Sequence, residues 1–113
     1  DRLHDQVLMM SATPFTNMHR AAIMNLVARR LPFITDGTEW AKAGAVITYA
    51  PNTLTLYRRS ASYVDKILRG ANAGDLPIEQ VSKFELIVNL KAAAALGITV
   101  PQSILLRADE IIQ

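Results

Sequence analysis

The stretch from Tyr49 to Gly70 constrains the fold more than any other part of the chain. It opens as the end of an apolar strand, Ala45-Val46-Ile47-Thr48-Tyr49, which Pro51 and Asn52 break. Leu54, Tyr57, Ala61, Val64 and Leu68 then recur at three- and four-residue intervals and share one helical face. Arg58, Arg59, Ser62, Asp65, Lys66 and Arg69 fall mostly on the other side. Asn52 or Thr53 can cap the helix start, and Gly70 stands where a helix stops. The order is strand, polar turn, amphipathic helix, and open α/β sheets bind their ligands at such turns.

The rest of the chain repeats this alternation. Gln6-Val7-Leu8-Met9-Met10-Ser11 is a short apolar run that predicts a buried strand ending at Ser-Ala-Thr-Pro. From about Phe15 to Arg30 the spacing predicts one helix, apolar around much of its circumference. Leu31-Pro32-Phe33-Ile34-Thr35 predicts a second strand, with proline near its start. Residues 36–44 predict a turn, a short helix and a stop glycine ahead of the third strand. Residues 72–79 are a polar loop, and Lys83 to Leu90 predict a fourth strand with one exposed face. An alanine-rich helix over Lys91–Leu96 stops at Gly97. Pro101 then opens a last helix carrying Ile104, Leu105, Leu106, Ala108, Ile111 and Ile112. Strands alternating with helices imply parallel pairing and right-handed crossovers. Four strands make half of a doubly wound protein, so the expected class is α/β, a parallel-sheet, Rossmann-like sandwich lobe.

A chain of 113 residues supports one compact domain. The net charge is only +2, because twelve cations nearly balance ten anions. The basic residues (Arg29-Arg30, Arg58-Arg59, Lys66, Arg69) are scattered without interleaved aromatics, so a nucleic-acid partner is not expected. With no cysteine there are no disulfides, thiolate metal sites or cysteine nucleophiles. No run reaches the roughly 18 apolar residues of a membrane span. The first residues, Asp-Arg-Leu-His-Asp-Gln, are not a signal peptide, and without an initiator methionine they suggest a start at a processing site or inside something larger.

The catalytic inventory is thin. His4 stands near the start, and His19 falls on a polar face of the first helix, where a solvated histidine is the plainer reading. Ser11 and Ser103 lack a Gly-x-Ser-x-Gly elbow, and no Walker or Gly-x-Gly-x-x-Gly loop follows a strand. Glu85 and Asp109-Glu110 have no partners at metal-ligand spacing. No enzyme activity, cofactor or metal is therefore expected. Three strand ends remain: Ser11-Ala12-Thr13, Thr35-Asp36-Gly37 and Tyr49-Ala50-Pro51-Asn52. Their hydroxyl, amide and carboxylate groups, beside helix starts, suit hydrogen bonding to a small polar ligand. The candidate ligand-binding residues are Ser11, Thr13, Asp36, Glu39, Trp40, Tyr49 and Asn52. Asp36 and Glu39 also fit the role of acids at a helix start. Trp40 and Tyr49 fit either an aromatic wall or the edge of the core.

These residues carry a recognisable pattern. It runs from Tyr49-x-Pro51-Asn52 through Leu56-Tyr57-Arg58-Arg59-x-Ala61-x-Tyr63-Val64-Asp65-Lys66-Ile67-Leu68-Arg69-Gly70 to Asp75-Leu76-Pro77-Ile78-Glu79-Gln80. It continues as Lys83-Phe84-Glu85-Leu86-Ile87-Val88-Asn89-Leu90-Lys91, Leu96-Gly97-Ile98-Thr99-Val100-Pro101 and Leu105-x-Arg107-Ala108-Asp109-Glu110. Together these resemble the C-terminal part of ABC-transporter substrate-binding proteins of the tryptophan/tyrosine-labelled kind. The resemblance implies a type I periplasmic-binding-protein fold, in which two α/β lobes close on a small ligand and hand it to a membrane permease. Residues 1–113 would then be most of one lobe, and the parent exported, periplasmic or lipid-anchored. It also implies a small polar ligand, with an aromatic amino acid among the candidates. The Ser11-Ala12-Thr13-Pro14 turn has no acid to meet an α-amino group, which leaves Asp36 or Glu39 for that task. A lone lobe offers half a cleft, so weak or no binding is expected, with self-association as one way to cover the missing apolar surface. Three other readings stand beside this one: a ligand-sensing domain of the same fold, a receiver or flavodoxin-like module, and a small hydrolase. The receiver lacks its acid cluster and placed lysine, and the hydrolase lacks a nucleophile–base pair.

Overall fold

The computed structural model describes residues 6–28 and 30–113; His4 and Arg29 lie outside the described residues. The elements are β1 (Leu8–Met10), α1 (Pro14–Met18), α2 (Arg20–Val27), β2 (Phe33–Thr35), α3 (Glu39–Ala43), β3 (Ile47–Pro51) and α4 (Thr53–Leu68). A 3-10 turn (Ala73–Asp75), β4 (Phe84–Asn89), α5 (Leu90–Ala95), α6 (Gln102–Leu105) and β5 (Glu110–Ile112) follow. The chain divides into two units, residues 1–50 with 85–113, and residues 51–84.

The first unit holds the sheet, in the order β1-β2-β3-β4-β5. β1 with β2, β2 with β3, and β4 with β5 are parallel pairs. The Asn89 amide donates to the Val46 carbonyl at 2.9 Å, which sets the last residue of β4 opposite the residue before β3. Adjacent strands in that register run in opposite directions, so the sheet is mostly parallel with one antiparallel pair. The expected crossover through the long helix is therefore not made, since an antiparallel neighbour needs none.

Side chains alternate across the sheet, and the helices use both faces. On one side Met24 of α2, Phe33 of β2, Trp40 of α3 and Ala45 form a buried cluster, with Leu8 and Met10 packed against it. On the other, Val88 of β4, Ala93 of α5 and Val100 are buried together, with Ile104 and Leu105 of α6 alongside. Asn89, next to Val88, turns to the first side: its amide nitrogen donates to the Ala41 carbonyl at 2.8 Å. Its oxygen accepts from the Ala92 amide at 2.8 Å and caps α5. One buried side chain thus ties α3 to α5 across the edge of the sheet.

Two expected elements come out differently. The single helix over 15–30 is two helices that meet at His19, which closes α1 and precedes α2. The last helix ends at Leu105, and Ile111 and Ile112 belong instead to a fifth strand. The cause is a long-range tie. The Asp109 amide donates to the Leu86 carbonyl at 2.8 Å, and the Asp109 carboxylate accepts from the Leu86 amide at 2.8 Å. Sheet pairing then overrides the helical spacing of the apolar residues.

The second unit is α4 with the segment that follows it. Asn52 caps α4, its side-chain oxygen accepting from the Thr55 amide at 2.8 Å. The Tyr63 hydroxyl donates to the Pro77 carbonyl at 2.7 Å, and Arg59 pairs with Glu79 at 2.7 Å. These ties frame a 560 Å³ cavity lined by Leu56, Tyr63, Ile67, Leu76 and Ile78 among others. No residue of α4 is buried.

Candidate functional site

Because β1, β2 and β3 are parallel neighbours, their carboxyl ends lie side by side. Met9 pairs with Ile34, and Ile34 with Ile47; Tyr49, two residues on, shares their face. A 190 Å³ recess at these ends is lined by Met9, Met10, Ser11, Ile34, Thr35, Asp36 and Tyr49. Tyr49 is 56% exposed, so its ring is available as a wall.

The rim is fastened from within. The Ser11 hydroxyl donates to Asp36 Oδ2 at 2.7 Å, and the Ala12 amide donates to Asp36 Oδ1. Both carboxylate oxygens are thus engaged by the neighbouring turn. The Ala12 amide is the main reason that the Asp36 carboxyl sits below its ordinary range; desolvation opposes this, and the Ser11 hydroxyl adds to it. Gly37 is buried at the same junction, where an added Cβ would lie 2.7 Å from Trp40 Cδ1 and 2.8 Å from Ala12 Cβ. Only glycine allows the two turns to approach this closely. Thr13 is the N-cap of α1 in a reciprocal capping box with Thr16. Trp40 closes the frame: its Nε1 donates to Asn17 Oδ1 at 2.6 Å, and its ring lies 5.5 Å from that of Phe33.

Of the residues singled out from the sequence, Ser11, Asp36 and Tyr49 line the recess. Thr13 stands at the start of the adjoining helix, with its hydroxyl used in the cap. Trp40 has no exposed surface and supports the rim from the core. Glu39 lines a different, 490 Å³ cavity of mixed charge, with Arg20, Lys42, Glu85 and Glu110. Asn52 belongs to the second unit as the cap of α4. Thr35 and Gly37 belong to a strand end read from the sequence, whereas Met9, Ile34 and Asn17 carry no signal of a site there. Met9, Ile34 and Tyr49 become one wall only once the strand register is known, and single-strand spacing does not carry that signal.

Two buried hydroxyls lie beside the recess. Thr35 and Thr48 are paired across β2 and β3, and neither Oγ1 has a hydrogen-bond partner. Buried polar atoms in native folds are nearly always satisfied, so this pair is an exception. Among the described residues no group of histidine, cysteine or carboxylate side chains is placed to hold a metal ion. His19 packs edge-on against Phe15, with ring centroids 4.7 Å apart. The arrangement therefore offers an apolar wall with a polar rim, a geometry for holding a molecule.

Solved structures share this fold. A conserved domain protein from Vibrio cholerae superposes with a TM-score of 0.87 at 24% identity, over 93% of this chain and 36% of that one. The ABC domain in complex with L-Trp from Streptococcus pneumoniae gives 0.78 at 22% identity, over 94% and 37%. A ligand-free, open substrate-binding protein with adhesive properties from Clostridium difficile gives 0.65 at 19%, over 95% and 36%. The chain thus spans little more than a third of the length of each of these structures. No curated protein matches it. The model of one family, ABC transporter substrate binding protein, matches residues 5–112, nearly the whole chain. The chain is a member of the ABC transporter substrate binding protein family.

Proposed function

We propose that this chain is most of one lobe of a solute-binding component of an ABC import system. It presents half of a cleft for a small, partly apolar, amino-acid-like ligand, which the complete protein delivers to a membrane permease. The observation that carries this reading is the recess at the carboxyl ends of β1–β3, where Met9, Ile34 and Tyr49 form a wall below Ser11 and Asp36. Open α/β sheets bind ligands at that position. Membership of the family supports it, as does the L-Trp bound by one structural neighbour. The lobe binds and does not turn over its ligand. Membership of the family supports an extracytoplasmic site of action. No helix among the described residues is long and apolar enough to cross a membrane.

With both Asp36 oxygens engaged, the carboxylate is a fastener of the rim more than a free anion for a ligand ammonium. The ligand's apolar body would rest on Tyr49 and Met9, with its polar end at the Ser11 turn. A single lobe buries only part of a ligand, so its affinity is weak. The test is an amide-resolved NMR titration of the chain with L-tryptophan and a panel of other amino acids at millimolar concentration. Shifts confined to Ser11–Thr13, Asp36–Gly37 and Tyr49 are expected. Shifts centred on the 560 Å³ cavity of the second unit, or none with any compound, would overturn the assignment.

A further inference from the structure

Asp36-Gly37 is the only Asp-Gly pair in the chain, and Asn-Gly does not occur. Asp-Gly is the aspartyl sequence most open to spontaneous isomerisation, because glycine puts no side chain beside the attacking amide and leaves the backbone free to turn. The Gly37 nitrogen attacks Asp36 Cγ in its acid form. The amide hydrogen and the carboxyl hydroxyl leave as water, and a five-membered succinimide closes. Water then adds at the Asp36 main-chain carbonyl, whose bond to the Gly37 nitrogen breaks. Gly37 is left joined through the side-chain carbon, the backbone gains one methylene, and no other reactant is consumed.

The fold needs both residues, for separate reasons. The rim needs a carboxylate at 36, which takes the Ser11 hydroxyl on Oδ2 at 2.7 Å and the Ala12 amide on Oδ1. It needs glycine at 37, where a Cβ would lie 2.7 Å from Trp40 Cδ1 and 2.8 Å from Ala12 Cβ. Two structural demands thus place the reactive pair on the recess. The same contacts oppose the reaction. Ring closure removes one carboxyl oxygen and the negative charge, so it forfeits the contacts that hold the carboxylate to the β1 turn. Gly37 is held from the other side: its carbonyl accepts from the Trp40 amide at 3.1 Å, and Trp40 and Ala12 crowd its α-carbon. The Ala12 amide also keeps the Asp36 carboxyl below its ordinary range, which makes the acid form scarce. All of these contacts join residues of the first unit.

We propose that Asp36-Gly37 is an isoaspartate-forming site that the fold holds shut, so that modification, and with it loss of the recess rim, waits on local opening of the β1 and β2 turns. It does not depend on what the recess binds. The test incubates the 113-residue chain at neutral pH, folded and in urea, beside a synthetic peptide of residues 31–42. Isoaspartate at position 36 is read by peptide mapping with mass spectrometry. The folded chain is expected to react more than about tenfold slower than the peptide, since two hydrogen bonds to a charged group must open, and the chain in urea at the peptide's rate. Ser11→Ala, its fold checked by Trp40 fluorescence, should react roughly fivefold faster than the native chain for the one bond lost. A folded chain that reacts as fast as the peptide, or a folded Ser11→Ala that reacts no faster than the native chain, would overturn the proposal.

Discussion

Replacing Asp36 tests whether the rim of the recess is one preassembled piece. The carboxylate accepts one backbone and one side-chain hydrogen bond from the β1 turn. Hydrogen bonds to charged groups contribute about 1.5–3 kcal/mol when buried. Asp36 is exposed, so solvent competes and reduces this to about 1–2 kcal/mol for Asp36→Ala. In a domain of this size each kcal/mol moves the melting temperature by roughly 4–8 °C. Trp40 is the sole tryptophan and lies in the same frame, so its fluorescence follows the relevant transition. The pH dependence has a fixed sign. The Ala12 amide holds the folded carboxyl below its ordinary range, so in acid the unfolded chain binds the proton first. Its contribution is therefore complete above the unfolded pKa and is lost as pH falls through the lower folded value. The native chain should lose stability in acid more steeply than Asp36→Asn, whose amide does not titrate. Equal acid sensitivity of the two, or an Asp36→Ala variant as stable as the native chain at neutral pH, would refute the fastening role.

Gly37→Ala should destabilise by about 1–3 kcal/mol through overpacking, since the new methyl meets Trp40 and Ala12 below 3 Å; denaturant unfolding checks this. Thr48→Val removes a fully buried hydroxyl with no hydrogen-bond partner and should raise stability by about 1 kcal/mol, seen as a higher denaturation midpoint. Asn89→Ala removes one of the two donors to the Ala41 carbonyl, which keeps the Gly44 amide, and uncaps α5; it should cost about 1–3 kcal/mol by the same measurement. Asn52→Ala should cost the α4 cap about 1 kcal/mol, visible as faster amide exchange over the first turn of that helix.

Local chemistry made much of this protein legible in one dimension. The break at Pro51-Asn52, the Asn52 cap and the three-four spacing after it specify α4 whatever surrounds it, because a helix satisfies its backbone within itself. The strand runs at Leu8, Phe33 and Ile47 were equally visible, and so was the cluster of polar groups at their carboxyl ends. The strands' order and directions were not, because pairing joins residues far apart in sequence. The Asp109–Leu86 tie turned a helical-looking tail into β5, and the Asn89–Val46 bond set β4 against β3. Tertiary structure also divided the candidate residues. It withdrew Trp40 into the core, engaged both oxygens of Asp36 and brought Met9 and Ile34 beside Tyr49. Sequence sets which groups stand at a strand end; the register of the neighbouring strand decides which of them face the same space.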